Sequence, residues 1–241
     1  MSIYELTQLD GEVAPTDVTP SGNAEYSDAL QRIELAFQTY GNGLFTLTSA
    51  GVDSALLIDL VSRSGHSIDL LHINTGFLTP ETIPFRDSLV EKYGLRLHEF
   101  GPSEEEVRTM SEMQLWQTDP EEYSRVTKLE PLTRAIQTLG VTALLSGIRR
   151  DQTSNRAEIG VIDTGNDGET RIHPVIDWDQ AAIDDYFSVN GLPRHPLYEQ
   201  GYGSVGDAHT TFKGKNREGR VIDECGIHVV GGVVIRNRLA T

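Results

Sequence analysis
Residues 46–61 read TLTSAGVDSALLIDLV. The first residues close an apolar run that begins at Leu44 and has β character. From Asp53 onward the apolar residues recur at helical spacing, so the chain switches period across the six residues Ser49–Ser54, SAGVDS. A strand ending at Thr48 and a helix beginning near Asp53 make this hinge a βα turn, where exposed N–H groups and the helix dipole favour an anion. Ser49 and Ser54 add hydroxyl donors, and Gly51 lets the backbone come close. The pattern is neither GxGxxG nor GxxxxGK[ST], which sets aside a dinucleotide dehydrogenase and a Walker-type NTPase. An ordinary turn closed by a Ser or Asp helix cap is the plainer reading of the same six residues.

Working outward, the pattern predicts strands at Leu44–Thr48, Ile68–Ile73, Leu95–Phe100 and Ala143–Ser146, with helices at 53–64, 80–93 and about 120–139 between them. A further helix, capped by Asp28 or Ser27, precedes the first strand. Alternation with long crossovers implies an α/β fold, a doubly wound and mostly parallel sheet of about five or six strands with ligands beyond the strands' carboxyl ends. Ile159–Ile172 reads as a hairpin around GNDG, and Asp179–Asn190 as a helix ended by Gly191. Trp116 and Trp178 read as core. Residues 1–24 form a flexible arm by composition.

The chain has 241 residues, a formal charge of −16 and one cysteine, Cys225. One cysteine makes no intrachain disulfide and no iron–sulfur or zinc site that needs several from one chain. The acidic balance argues against a nucleic-acid binder, so any anion site has to be locally basic. Lysine occurs only at 92, 128, 213 and 215, whereas Arg149, Arg150 and Arg156 crowd one short segment; a planar guanidinium suits bidentate phosphate or sulfate binding. The N-terminus lacks the basic start and apolar core of a signal peptide, and no apolar run reaches the roughly 20 residues of a membrane helix, which predicts a cytoplasmic protein.

SAGVDS resembles the PP-loop, SxGxDS, of the adenine nucleotide α-hydrolase-like superfamily. INTGFLTPET (73–82), KLEPLTRAI (128–136), SGIRRDQTSNRA (146–157), HPVIDW (173–178), HPLYEQGYGSVGDAHTT (195–211) and ECGIH (224–228) resemble, in order, the motifs of the phosphoadenylyl-sulfate (PAPS) reductase family. That resemblance implies reduction of PAPS to sulfite and adenosine 3′,5′-bisphosphate in assimilatory sulfate reduction. Residues 25–211 are then the nucleotide-binding domain and 212–241 a C-terminal catalytic segment, in which Cys225 is the nucleophile that forms a thiosulfonate and His228 orients or charge-stabilises the thiolate or binds the sulfate. No cofactor is bound, reduced thioredoxin or glutaredoxin supplies electrons, and the protein is a homodimer with neither metal, nucleic acid nor membrane. Substrate contacts fall to Ser49, Gly51, Asp53, Ser54, Asn74, Gly76, Phe77, Lys128, Arg149, Arg150, Arg156, Asp207, His209, Thr210 and Lys213.

The chain departs from the family pattern at Asn74, where the family has Asp, at Phe212–Lys213, where many members have Arg, and in the tail after His228. It has no cysteines where relatives that reduce adenylyl sulfate (APS) hold a cluster, which points to PAPS. Three alternatives follow from the same residues: an adenylating PP-loop ATP-pyrophosphatase that uses Asp53 and Ser54 around a magnesium nucleotide, an APS reductase without a cluster, or, from Asn74 and the 212–223 loop, a nucleotide-binding protein without turnover.

Overall fold
The computed structural model describes residues 24–214. Cys225 and His228, and nearly all of the expected arm and catalytic segment, lie outside the described residues. The chain enters through α1 (Ala24–Tyr40), longer at its start than the expected cap at Ser27 or Asp28. It continues through β1 (Leu44–Thr48), α2 (Ser54–Arg63), β2 (Asp69–Ile73), α3 (Thr82–Tyr93) and β3 (Leu97–Phe100). Next come α4 (Glu104–Met113), the short α5 (Leu115–Thr118) and α6 (Pro120–Ser124), a π-turn over Arg125–Leu129, α7 (Glu130–Leu139) and β4 (Ala143–Ser146). The hairpin β5 (Ile162–Thr164) and β6 (Thr170–Ile172) and the helix α8 (Gln180–Asn190) complete the elements that matter here.

The six strands lie in the order β3-β2-β1-β4-β6-β5, every neighbouring pair parallel except β5 with β6. Strand side chains alternate between two faces. Leu44, Leu70 and Leu145 pack with α1, α2 and α8, whereas Phe45, Leu71 and Leu144 pack against Leu132, Ala135 and Ile136 of α7. The sheet is thus doubly wound, as its sequence implies. From β1 the chain winds outward through β2 and β3, then returns to place β4 on the other side of β1. The carboxyl ends of β1 and β4 therefore flank the point where the winding reverses, the usual ligand crevice of such sheets.

Local chemistry accounts for the boundaries. The Asp179 side chain accepts the Ala182 N–H at 2.8 Å to start α8, and Gly191, at φ 59°, ends it in the left-handed conformation that only glycine adopts at no cost. The GNDG turn closes with the Gly165 N–H donating to the Glu169 carbonyl at 2.8 Å. The hairpin strands are shorter than the expected 159–172 because Ile159 and Val161 pack into a separate cluster with Ile148 and Ile176. Asp59, buried in α2, accepts from Tyr93 Oη at 3.0 Å and Tyr186 Oη at 2.7 Å, joining α2, α3 and α8. Burial, with that carboxylate beside them, pushes both phenols well above their ordinary range. Among the described residues no helix is long and apolar enough to cross a membrane.

Two features differ from the sequence expectation. Residues 104–118 form helices α4 and α5, opened by a capping box in which Ser103 accepts the Glu106 N–H and Glu106 accepts the Ser103 N–H. The expected continuous helix over 120–139 is broken by the π-turn, across which the Glu130 N–H donates to the Arg125 carbonyl. Pro131 explains it. Proline has no N–H for the Thr127 carbonyl four residues back, and its ring crowds that carbonyl, so the turn widens by one residue.

Candidate active site
A cavity of about 420 Å³ opens at the reversal point, lined by the ends of β1 and β4, by the hinge, and by the 203–207 segment. Of the residues singled out in the sequence it gathers Ser49, Gly51, Asp53, Ser54, Lys128, Arg149, Arg156 and Asp207 on its wall.

The hinge is shaped by its own backbone. Ala50 is fully buried and sits at φ 50°, an uncommon conformation for a residue with a Cβ, while its N–H donates to Thr48 Oγ1 at 3.1 Å. A Cβ on Gly51 would stand 3.3 Å from both Ser49 Oγ and the Val205 carbonyl, so glycine lets the 203–207 segment close over the turn. Val52 packs there against Leu197 and Val205. Asp53 occupies the N-cap position of α2 without capping it. Its carboxylate instead receives Arg149 Nη1 at 3.0 Å and lies 3.7 Å from Arg194 Nη1.

The three clustered arginines have separate fates. Arg149 is buried, its guanidinium divided among Asp53, Asp151 at 2.9 Å and Gln180 at 2.9 Å. Arg156 is buried on the same wall and shares Gln152 Oε1 with the Arg149 N–H. Arg150 points elsewhere: it donates to the Ile159 carbonyl at 2.8 Å and pairs with Asp177, which also takes Arg32 at 2.9 Å. It joins the β4 loop to α1 rather than lining the cavity.

Across the cavity, the side chain of Asp207 is 2 % exposed and accepts from Thr75 Oγ1 at 2.5 Å, Tyr123 Oη at 2.9 Å and Lys128 Nζ at 2.9 Å. Burial works against its charge, but the Lys128 ammonium and these hydrogen bonds prevail and hold the carboxyl below its ordinary range. Behind it, Phe77, Trp116, Tyr123 and His209 form an aromatic cluster in which His209 stacks on Trp116 at 4.5 Å. Burial lowers the His209 pKa, which favours the neutral ring. Gly76, at φ 79°, takes its N–H to Asn74 Oδ1 at 3.0 Å, so Asn74 caps this turn. Thr210 is buried in a short turn begun by Asp207, with its hydroxyl on the Asp207 carbonyl at 3.1 Å. Lys213 is exposed beside Gly201. Asn74, Gly76, Phe77, His209, Thr210 and Lys213 thus do not line the cavity. Trp178 is core, as expected, while Trp116 is only partly buried in the aromatic cluster.

Sequence reasoning missed Thr75, Tyr123, Gln152, Gln180 and Arg194. Arg194 lies between the rings of Phe187 and Tyr198, 4.3 Å from each. Gln152 stood inside the arginine-rich motif and Thr75 inside INTGFLTPET, so both were legible there; Tyr123, Gln180 and Arg194 carried no local signal.

The phosphoadenosine phosphosulfate reductase domain matches residues 43–213, the stretch that contains the sheet, the hinge and both walls of the cavity. The chain belongs to this reductase family. A phosphoadenosine 5′-phosphosulfate reductase of Yersinia enterocolitica is 35 % identical, over 95 % of this chain and 99 % of that one. The crystal structure of the Candida auris PAPS reductase, a phosphate complex, superimposes with a TM-score of 0.68 at 27 % identity, covering 83 % of this chain and all of that one (100 %). The FMN adenylyltransferase of Candida glabrata shares the fold alone, at 17 % identity and a TM-score of 0.63 over 87 % of this chain and 72 % of that one.

Proposed function
We propose that this chain reduces PAPS to sulfite and adenosine 3′,5′-bisphosphate through a thiosulfonate on Cys225. The observation that carries the reading is the siting of Lys128, Arg149 and Arg156 on one cavity at the reversal point of the sheet, in a chain of net charge −16. Fixed local cations are what an acidic protein needs to hold a polyanion. The family's reductases and the phosphate carried by the Candida auris enzyme support a sulfonucleotide as the ligand.

In this reading residues 212–241 form the catalytic segment. The Cys225 thiolate attacks the sulfur of PAPS, the sulfur–sulfur bond forms as the bond from sulfur to the bridging phosphate oxygen breaks, and adenosine 3′,5′-bisphosphate leaves. His228 stabilises the thiolate. With one cysteine in the chain, resolution falls to an external dithiol such as thioredoxin. One donor thiolate attacks Cys225 Sγ, sulfite departs with the bonding electron pair, and the second donor thiol releases Cys225 as the donor becomes a disulfide. The two electrons of the dithiol take sulfur from S(VI) to S(IV). Neutralisation of Asp53 by Arg149 and Arg194 suits an anion beside the hinge better than the magnesium nucleotide of an adenylating enzyme.

Without reductant, PAPS should stop the enzyme after one turnover and leave a protein about 80 Da heavier, the mass of one SO₃ on the nucleophile. Reduced thioredoxin should discharge it as sulfite, and Cys225→Ser should bind nucleotide without gaining the mass. ATP-to-AMP turnover that survives Cys225→Ser would replace this reading with adenylation, and faster sulfite release from APS than from PAPS would reassign the substrate.

A further inference from the structure
Asp207 stands on the wall of a cavity read as an anion site, where a bare carboxylate would repel the ligand. Its geometry shows a different use. Oδ1 accepts from Thr75 at 2.5 Å, and Oδ2 from Tyr123 and Lys128 at 2.9 Å each. Thr75 follows β2, Tyr123 belongs to α6, and Lys128 sits in the π-turn that Pro131 imposes. The 203–207 segment that carries Asp207 is itself fixed, because Asp207 bridges to Leu78 and the Ala208 N–H donates to the Phe77 carbonyl at 2.7 Å. The carboxylate is therefore rigid, ionised and buried. Lys128, by contrast, has a flexible four-carbon stem ending in a point charge with no planar geometry of its own.

We infer that Asp207 is a positioning residue: it makes no contact with the ligand but sets the bearing of the Lys128 ammonium on the cavity wall, while Thr75 and Tyr123 fix the carboxylate that does so. One of the three ammonium donors goes to Asp207, which anchors the group before the anion arrives. The ligand then meets a cation already ordered, and pre-organisation of this kind strengthens binding by removing the cost of ordering. The inference rests on the reading of the cavity as a sulfonucleotide site.

The test is calorimetric titration of the full chain with adenosine 3′,5′-bisphosphate. Lys128→Met should weaken binding tenfold or more. The double variant Lys128→Met/Asp207→Asn should bind within twofold of Lys128→Met, since Asp207 has nothing left to position. It should also melt higher than Lys128→Met, which leaves a buried carboxylate without its cation. Asp207→Asn alone should lose most of what Lys128→Met loses; if it fails to fold, the comparison of Lys128→Met with the double variant still decides. A double variant fivefold or more weaker than Lys128→Met would show Asp207 acting on the ligand independently and overturn the inference, as would wild-type affinity in Asp207→Asn. A purely structural role would move the melting temperature but leave the two losses in affinity multiplicative. Wild-type protein that gives no heat with the nucleotide would overturn the cavity reading itself, an outcome distinct from binding with independent losses.

Discussion
Arg149 and Arg150 are neighbours in the chain with opposite surroundings. Arg149 is extended, at φ −131° and ψ 148°, whereas Arg150 opens a 3-10 turn, so the two side chains leave the chain in different directions. One guanidinium therefore enters the cavity wall and the other reaches Asp177. Arg149→Lys keeps the charge but loses the planar fork that serves three acceptors. Losing one buried charge-assisted contact to the ligand costs about 1.5–3 kcal/mol, so the KM for PAPS should rise tenfold or more, and Tm should fall as well because Asp53, Asp151 and Gln180 lose buried donors. Arg150→Ala should act on stability alone: a loss of about 1 kcal/mol, roughly 2–4 °C in Tm, discounted for its partly exposed ion pair, with KM changed less than threefold. Steady-state kinetics and thermal melts on both variants check this; a tenfold KM effect in Arg150→Ala would place that side chain at the ligand after all.

At the scale of elements, the π-turn before α7 is the deviation that bears on the proposed site. An α-helix turns by about 100° per residue, so one extra residue in a turn swings everything ahead of it around the axis. Here that brings Lys128 to Asp207. Pro131→Ala restores the N–H and removes the crowding, letting the segment relax toward an α-helix. Tm should hold or rise, and the Kd for adenosine 3′,5′-bisphosphate should increase about fivefold or more as Lys128 leaves its bearing, by the same rotation. Unchanged affinity would mean that contacts from Asp207 and Tyr123, rather than the proline, shape the turn. Helices α4 and α5, on the same side, carry the partly buried Val107 and Trp116 that pack with Phe77 and Tyr123, so the layer behind Lys128 is held by apolar contact.

At the scale of the whole molecule, acidity and buried histidines set the response to pH. His72, His195 and His209 all have pKa values lowered from 6.5, chiefly by burial, so the folded protein favours them neutral. The unfolded chain protonates them near 6.5, and between that value and each lowered one it binds more protons than the fold does. Stability from this source is complete above pH 6.5, falls as pH drops through it, and levels off below the folded values. His195, bridging Thr82 Oγ1 at 3.1 Å and the Leu197 N–H at 3.2 Å, is the one to test. His195→Gln should lose less Tm than wild type between pH 7.5 and 5.5; relief of carboxylate repulsion acts on both proteins alike, so the difference isolates the ring. Parallel curves would remove His195 from this account.

What the sequence determined by itself was local. The change of period across SAGVDS, the GNDG turn and the Asp179 and Gly191 ends of α8 each depend on residues within a few positions, and the alternation of strand and helix sufficed for a doubly wound sheet. The motifs placed the chain in its family. Helix α4 was within reach too, through the Ser103–Glu106 capping box, but its sparse apolar positions hid it. Tertiary structure alone decided which candidates share the cavity. Asp207 meets Thr75, Tyr123 and Lys128 across 132, 84 and 79 residues of chain, separations at which spacing carries no information. It alone separated Arg149 from Arg150, because burial and partners depend on what the fold brings opposite each side chain, which residue type and order do not contain.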